Sequence, residues 1–285
     1  MKRNLRKDAE QIAQEAIRAC LPDEAVEKAL NGWHFPGKVV LAAIGKAAWR
    51  MANAAWRVLG PEQIQRGAVL TTYGHGAGPL GNWELYEAGH PVVDHGSVAG
   101  TERILELVRG LEPEDTVLFL VSGGGSALFE KPLIPLEELA EVNRQLLACG
   151  ASIGEVNAVR KRLSGVKGGK FAEFCRPARV FAVILSDVVG DRLDVIASGP
   201  ACPDGSTAAE AVAVAERYGL QLSERAWGLL RAETPKTLTN VETQVTGSVS
   251  ELCRAAAAAA ERLGYRPVIL TDSLGCQAKE AGAFL

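Results

Sequence analysis

The chain has 285 residues, of which 47% are hydrophobic and 23% are charged, and its formal net charge is −3. These values are typical of a globular protein with a substantial core. The slight negative charge, spread over interspersed acids and bases, argues against a protein that binds nucleic acid or anionic membranes. The charged start MKRNLRKDAEQ lacks the apolar core of a signal peptide, and the six cysteines never form C-x-x-C. We therefore expect a cytoplasmic protein.

Apolar runs and amphipathic segments alternate along the chain. A helix is predicted from near Leu5 toward Cys20 and ends before Pro22. Four runs are typical of strands buried on both faces: KVVLAAI, GAVLTTYG, TVLFLVSGGG and RVFAVILSD. Helical patterns lie between them: AAWRMANAAWRVLG, SVAGTERILELVRGL, PLEELAEVNRQLLACG and TAAEAVAVAERYG. This alternation predicts an α/β fold with a doubly wound, mostly parallel sheet.

The last fifty residues suggest a second unit. Residues 237–249, TLTNVETQVTGSV, are rich in β-branched side chains and are interpreted as a crossing out of the first unit. An alanine-rich helix, a short strand at RPVIL and the segment QAKEAGAFL follow. We expect these elements to begin a second, smaller α/β domain.

The segment from Gly76 to Gly81 formally matches G-x-G-x-x-G, and Asp94 follows at about the spacing of a ribose-binding acid. A dinucleotide fingerprint needs a helix directly after its glycines, because the helix amino end meets the pyrophosphate. Here Pro79 and the strand-like residues 83–87 follow instead. A structured turn is therefore favoured, and an NAD(P)H-dependent oxidoreductase is the alternative.

A second glycine segment directly follows the buried strand TVLFLV. Ser122 and Ser126 enclose Gly123, Gly124 and Gly125, whose backbone amides are not obstructed by side chains. Consecutive free N–H groups form a concave site for phosphate or carboxylate oxygens. In open α/β sheets ligands bind at the carboxyl ends of the strands, where this loop lies. A plain tight turn would also explain the glycines, but we favour anion binding.

The stretch NAVRKRLSGVKGGK carries several cations and no acid. Its first four candidate residues have helical spacing and share one face, and its last two open another glycine turn. The candidates are Asn157, Arg160, Lys161, Ser164, Lys167 and Gly168. A solvated basic helix face is one interpretation. The neighbouring glycine turn favours the other, a cradle for polyphosphate.

Acidic residues follow the strand RVFAVIL. Asp187 and Asp191 would lie at its carboxyl end, where two carboxylates could hold Mg²⁺ against phosphate oxygens. Helix capping would explain either one alone. Lys46 follows the first strand and could bring a compact positive charge to the same cleft. The three histidines between residues 75 and 95 are a weaker candidate for a metal site.

Seven segments occur in order: AIGKAAWRMA, YGHG, EAGHPVVD, LVSGGGSAL, NAVRKRLSGVKGGK, LSDVVGDRLDVIASGP and PDGST. Together they resemble the class II, MOFRL-type glycerate kinases (glycerate 2-kinases), some of which have been labelled hydroxypyruvate reductases. The similarity extends from about residue 5 to residue 285. It implies a Rossmann-like N-terminal domain over residues 1–241 and the start of an incomplete C-terminal domain over residues 242–285, with the active site between the two.

The resemblance implies ATP-dependent phosphorylation of D-glycerate to 2-phosphoglycerate with Mg²⁺ or another divalent cation. Glycerate and the nucleotide are then the partners, and a homodimer stays open as the oligomeric state. Matched by motif, Lys46 and Asp187 are the expected catalytic residues, and Asp187 and Asp191 the expected metal ligands. The glycine loop Ser122–Ser126 and the basic stretch Asn157–Gly168 are the expected binding segments. Neither a Walker A string nor the protein-kinase signature set occurs, so the assignment of ATP depends on the resemblance.

The sequence departs from the family pattern at two places. PDGST has Gly205 where the family commonly shows proline. The family's C-terminal region, with its own glycine-rich and arginine-bearing motif, lies beyond Leu285, and we expect a truncated chain to be inactive because its cleft lacks one wall. Two other functions stay open. One is an NAD(P)H oxidoreductase of the hydroxypyruvate reductase type, and the other is a non-catalytic fragment that binds phosphorylated metabolites.

Overall fold

The computed structural model of the chain describes residues 4–81 and 83–284. Within these residues one sheet of six parallel strands forms the centre of the protein. The strands are Val39–Ile44 (β1), Ile64–Thr72 (β2), Glu84–Ala88 (β3), Thr116–Val121 (β4), Arg179–Leu185 (β5) and Val241–Thr246 (β6). They lie in the order β3-β2-β1-β4-β5-β6. This is the Rossmann strand order, in which the direction of winding reverses between β1 and β4.

Helices connect the strands and cover both faces of the sheet. The first half of the described chain contains Leu5–Ala19 (α1), Pro22–Leu30 (α2), Ala48–Gln63 (α3), His95–Leu107 (α4), Gly125–Leu128 (α5) and Leu136–Ala148 (α6). The second half contains Ile153–Leu163 (α7), Lys170–Phe174 (α8), Ala208–Arg217 (α9), Glu224–Leu230 (α10), Val249–Arg262 (α11) and Ala278–Phe284 (α12). The doubly wound α/β prediction is confirmed.

The central strands are buried on both faces, as their continuous apolar runs predict. In β1, Val40 and Ile44 belong to the core that packs against α4, whereas Leu41 and Ala43 belong to the core that packs against α3. Alternate side chains of a strand point to opposite faces, so one apolar run supplies both cores.

A third core lies outside the sheet. Helices α6, α7, α9 and α10 pack against one another through side chains such as Leu139, Val159, Val214 and Leu230. The predicted cap of α9 is present, because Thr207 accepts a hydrogen bond from the N–H of Glu210 while the Glu210 carboxylate accepts one from the N–H of Thr207. This helical layer carries the basic stretch that the sequence singled out.

The C-terminal residues extend the same sheet. Strand β6 begins at Val241 and pairs with β5, and α11 packs against α1. The domain boundary between residues 241 and 242 stays a prediction. The predicted strand at residues 266–270 is wrong: these residues form no strand, and Val268 and Leu270 are exposed. A β-strand requires a hydrogen-bonded neighbour, and none of the described strands pairs with this segment.

None of the helices in residues 4–81 and 83–284 has both the length and the hydropathy needed to cross a bilayer.

Candidate active site at the switch point of the sheet

The ends of β1 and β4 are joined by side-chain and backbone hydrogen bonds. The N–H of Lys46 donates to the carbonyl of Gly123 at 2.9 Å, and the N–H of Ala47 donates to Ser122 Oγ at 3.0 Å. The Ser122 hydroxyl itself donates to the carbonyl of Ile44 at 3.3 Å. Buried Ser122 therefore holds the two loops together, and its hydroxyl has internal partners instead of facing a ligand.

Two glycines let three functional side chains approach the loop. A Cβ atom placed on Gly123 would lie 2.1 Å from Asp187 Oδ2. A Cβ atom on Gly124 would lie 3.0 Å from His90 Cδ2 and 3.3 Å from Lys46 Cγ. Gly124 also has a φ of 90°, in the left-handed region that favours glycine. The structure therefore gathers Lys46, His90 and Asp187 around the Gly123–Gly124 peptide.

The backbone amides of this loop are available. The N–H groups of Gly123, Gly124, Gly125 and Ser126 donate no hydrogen bond to any residue in the described part of the chain. They lie at the start of α5, where amides have no partner within the helix. Their arrangement suits an anion as the sequence predicts, and anion binding itself stays a prediction.

The side chains around the loop differ in charge. Lys46 and Asp187 are exposed, and neither side chain forms a hydrogen bond or ion pair with another described residue. Burial lowers the pKa of His90, the Lys46 ammonium lowers it further, and Asp187 partly offsets both effects. These effects favour the neutral form of the His90 imidazole. A lysine, a carboxylate and an imidazole thus surround the free amides.

A chain of hydrogen bonds connects the glycine loop to α7. Ser126 Oγ lies 3.1 Å from Ser198 Oγ, and Ser198 donates to Asn157 Oδ1 at 3.1 Å. Gly168 donates its N–H to the Ser198 carbonyl at 3.0 Å. Asn157 is only 4% exposed, and its Nδ2 has no partner among the described residues. Ser126, Asn157 and Gly168 thus meet at Ser198.

The backbone is also strained at Ser198 and at the residue before it. Ala197 and Ser198 have φ values of 50° and 61°, although neither is glycine. Each such residue costs about 1–3 kcal/mol and persists only where its surroundings hold it. The hydrogen bonds that Ser198 forms with Ser126 and Asn157 provide that support.

Arg160 also reaches the glycine loop. Its Nη2 donates to the carbonyl of Ser126 at 3.2 Å, while its Nε is buried without a partner in the described chain. Burial lowers the pKa of this guanidinium, and Glu130 opposes that effect. Arg160 therefore lies beside the glycine loop, and its part in phosphate binding stays a prediction.

Lys161 has an internal partner, contrary to the predicted cradle. Its ammonium lies 3.0 Å from Asp204 Oδ1, and the two side chains are 3% and 0% exposed. Asp204 also accepts hydrogen bonds from Thr234 and Ser206. Burial alone would raise the pKa of Asp204, but these bonds and Lys161 lower it to about 2. Lys161 therefore neutralises a buried carboxylate and is not free to bind phosphate.

Lys167 and Ser164 have internal partners too. The Lys167 ammonium is 0% exposed and lies 2.9 Å from Glu130 Oε2 and 2.8 Å from the Phe129 carbonyl. Burial lowers the pKa of Lys167, and the charge of Glu130 opposes that effect. The Ser164 hydroxyl accepts the N–H groups of Val166 and Lys167. The structure thus corrects the predicted cradle: it is not built from these side chains, because burial required each of them to find a partner within the fold.

The predicted metal ligands lie in the loop after β5. Asp191 has a φ of 51°, and its carboxylate forms no hydrogen bond or ion pair with other described residues. The described chain contains no group of three or more histidine, cysteine, aspartate or glutamate side chains that could hold a metal ion. Mg²⁺ commonly takes one or two carboxylates and completes its shell with water and phosphate oxygens. The pair Asp187 and Asp191 therefore stays a prediction.

The alternative dinucleotide fingerprint lacks its helix. Described residues between β2 and β3 form no helix, and the N–H of Gly76 donates to Glu87 Oε1 at 2.9 Å. Asp94 caps α4 and accepts hydrogen bonds from Ser97, Gly89 and Tyr73. The glycine amide and the acid that a dinucleotide would need therefore have structural partners.

The sequence does not predict that two residues lie at the glycine loop: His90, which it offers only as one of three metal-site histidines, and Ser198. His90 carries the signal of a His-Pro pair after a strand, yet only the fold shows that it meets Gly124. Ser198 lies in the small-residue run IASGP, which indicates a tight backbone without indicating the hydroxyl contacts.

Comparison with known proteins finds relatives that match most of the chain. Residues 8–231 match the family described as "Domain of unknown function (DUF4147)". A D-glycerate 2-kinase of Thermotoga maritima is 51% identical over 284 residues, or 99% of this chain. A crystal structure of a Thermotoga maritima glycerate kinase matches with a TM-score of 0.93 over 98% of this chain, at 51% identity. A protein of Agrobacterium vitis, provisionally named a hydroxypyruvate reductase, is 43% identical over 86% of this chain.

The chain spans only part of the length of these relatives. It covers 68% of the Thermotoga maritima protein, 68% of the chain in that crystal structure and 57% of the Agrobacterium vitis protein. The matched part contains the switch point and every residue of the candidate site. The chain therefore belongs to the glycerate 2-kinase family and is a kinase by family.

Proposed function

We propose that the protein uses ATP to phosphorylate D-glycerate on its 2-hydroxyl group, giving 2-phosphoglycerate. One observation carries the proposal: Lys46 and Asp187 meet at the free amides of Gly123 and Gly124, at the switch point of a Rossmann sheet. Ligands of such sheets bind at this point. The kinase names of the relatives support the same reaction.

The residues divide into three tasks. The amides of the glycine loop bind phosphate oxygens. Lys46 supplies a positive charge, either to the transferred phosphoryl group or to the glycerate carboxylate. Asp187 and Asp191 would hold Mg²⁺, which neutralises phosphate charge when bound. The free carboxylate of Asp187, which only a glycine at residue 123 admits so near the loop, fits a metal carried in with the nucleotide.

Positioning and charge neutralisation are sufficient for this chemistry. Phosphoryl transfer passes through a loose transition state, and the enzyme needs no covalent intermediate. One preorganised electrostatic contact contributes about 3 kcal/mol to the stability of a transition state. The loop amides and Lys46 are held in place by the bonds between β1 and β4, so little reorganisation is needed.

The proposal is tested by following ADP release from MgATP and D-glycerate. A second assay identifies the product: 2-phosphoglycerate feeds enolase directly, whereas 3-phosphoglycerate requires phosphoglycerate mutase first. Signal with enolase alone supports the 2-hydroxyl as the acceptor. Saturable binding and oxidation of NADH with hydroxypyruvate, in the absence of ADP release, would instead support the oxidoreductase.

The cytoplasm is the proposed location, since the cysteines are isolated along the chain and free. The Thermotoga maritima relatives extend beyond the part that this chain covers. We therefore propose to assay the 285-residue chain beside a form extended over that region. Activity in the longer form alone would support the proposed second domain, and binding without turnover in both forms would support a phosphate-binding fragment.

A further inference from the structure

A cavity of about 300 Å³ lies next to the glycine loop. It is bounded by α6, α7 and the residues that directly follow His90. Its apolar lining consists of Pro91, Val92, Val93, Ala140, Leu147 and Val156. Its polar lining includes Asn143, Arg144 and Arg160. Arg160 lines the cavity and also donates to the Ser126 carbonyl, so the cavity lies beside the candidate active site.

The rim of this cavity exposes apolar side chains. Val92 is 66% exposed and Leu147 is 77% exposed. A mostly apolar concavity of this size with a few polar groups is typical of a site for a small organic ligand. A flat and weakly polar part of such a ligand would cover the exposed side chains of Val92 and Leu147.

Two polar atoms in the lining residues have no partner. Asn143 Oδ1 is a buried acceptor, and Arg160 Nε carries a buried donor; neither has a hydrogen bond within the described chain. Leaving such groups unsatisfied costs free energy, so a ligand that offers both a donor and an acceptor gains affinity here. Adenine presents its N6 donor beside a ring-nitrogen acceptor.

We propose that this cavity binds the adenine base of the phosphoryl donor while the glycine loop binds its phosphates. Arg160 would link the two parts, with one nitrogen on the Ser126 carbonyl and another toward the base. This inference depends on the proposed function, because it assumes that a nucleotide occupies the loop.

The test compares two probes, ATP and inorganic tripolyphosphate, which carries no base. Ala140 is exposed and lines the cavity, so Ala140→Trp should fill it without disturbing the core. We expect the Kd of the wild type for ATP to be lower than that for tripolyphosphate. In Ala140→Trp the Kd for ATP should rise at least about tenfold while that for tripolyphosphate stays constant. Asn143→Leu, which removes the acceptor, should raise the Kd for ATP in the same selective way.

The matched control is Ala148→Trp, which places the same side chain at an exposed position of α6 outside the cavity lining. It should leave both Kd values unchanged. Unchanged or tighter ATP binding by Ala140→Trp overturns the assignment. So does a change in sedimentation with an unchanged Kd, which would indicate a contact between copies of the chain. Failure of the wild type to bind either probe overturns the proposed function together with this inference.

Discussion

The glycine loop and the helical layer beside it use lysine in opposite ways. Lys46 is exposed at the loop, and its ammonium has no partner in the described chain. Lys167 lies under the helical layer, fully buried against Glu130. Removing a charge from water costs so much free energy that a buried charge needs a neutralising partner. An exposed charge stays solvated and is available to a ligand. The lysines of the family motifs therefore cannot all be assigned one task.

The largest expected effect is on the free energy of unfolding, and it comes from breaking the buried ion pair of Lys167 and Glu130. Lys167→Ala should lower the free energy of unfolding by about 3–5 kcal/mol, because it leaves the Glu130 carboxylate buried and unpaired. Urea unfolding at pH 7 measures the change. The double variant Glu130→Gln, Lys167→Met should recover part of the loss. A loss below about 1 kcal/mol in the single variant would contradict a structural role for Lys167.

The next largest effect is on turnover, and it comes from removing the exposed charge of Lys46. Lys46→Ala should lower kcat in the ADP-release assay by two to three decades, corresponding to about 3 kcal/mol of transition-state stabilisation. Its free energy of unfolding should stay near that of the wild type, because the exposed ammonium forms no hydrogen bond or ion pair with a described residue. Lys7→Ala, at an exposed position of α1, is the control and should keep full activity. Retained turnover in Lys46→Ala would remove Lys46 from the mechanism.

An acid titration probes the second buried pair. The pKa of Asp204 falls from 3.8 to about 2 on folding, so its ionised form stabilises the protein above pH 3.8, and that stability is lost as the pH falls through about 2. The contribution is about 2 kcal/mol. The stability gap between the wild type and Asp204→Asn should therefore be widest above pH 4 and narrow toward pH 2. A gap that does not depend on pH would contradict the pairing with Lys161.

The smallest expected effect is a loss of stability without a loss of turnover, and it comes from a helix cap in the helical layer. Thr207→Ala removes the cap of α9 and should lower the free energy of unfolding by about 1 kcal/mol. Because α9 lies in this layer and carries no residue of the glycine loop, kcat should stay unchanged. Thr237→Ala, at an exposed position without a cap, is the control for the loss of a hydroxyl. A large loss of activity in Thr207→Ala would show that the two regions are coupled.

Much of the fold can be predicted from the sequence, but the candidate site can be predicted only in part. Continuous apolar runs identify β1, β4 and β5 because strands buried on both faces leave no polar alternation. The segment at residues 266–270 also ends in an apolar run, but no described strand lies beside it, so composition alone predicts it wrongly. The glycine loop and Lys46 were predicted because they follow buried strands. Glu130 and Asp204 were not paired with their lysines, since only the packing of distant helices brings them together.

The close approach of residues 123 and 187 also limits which substitutions this site accepts in evolution. A Cβ atom at residue 123 would lie 2.1 Å from the carboxylate at residue 187, so any larger side chain at residue 123 requires that carboxylate to move or to be replaced. Homologous sequences without glycine at residue 123 should therefore also tend to differ at residue 187.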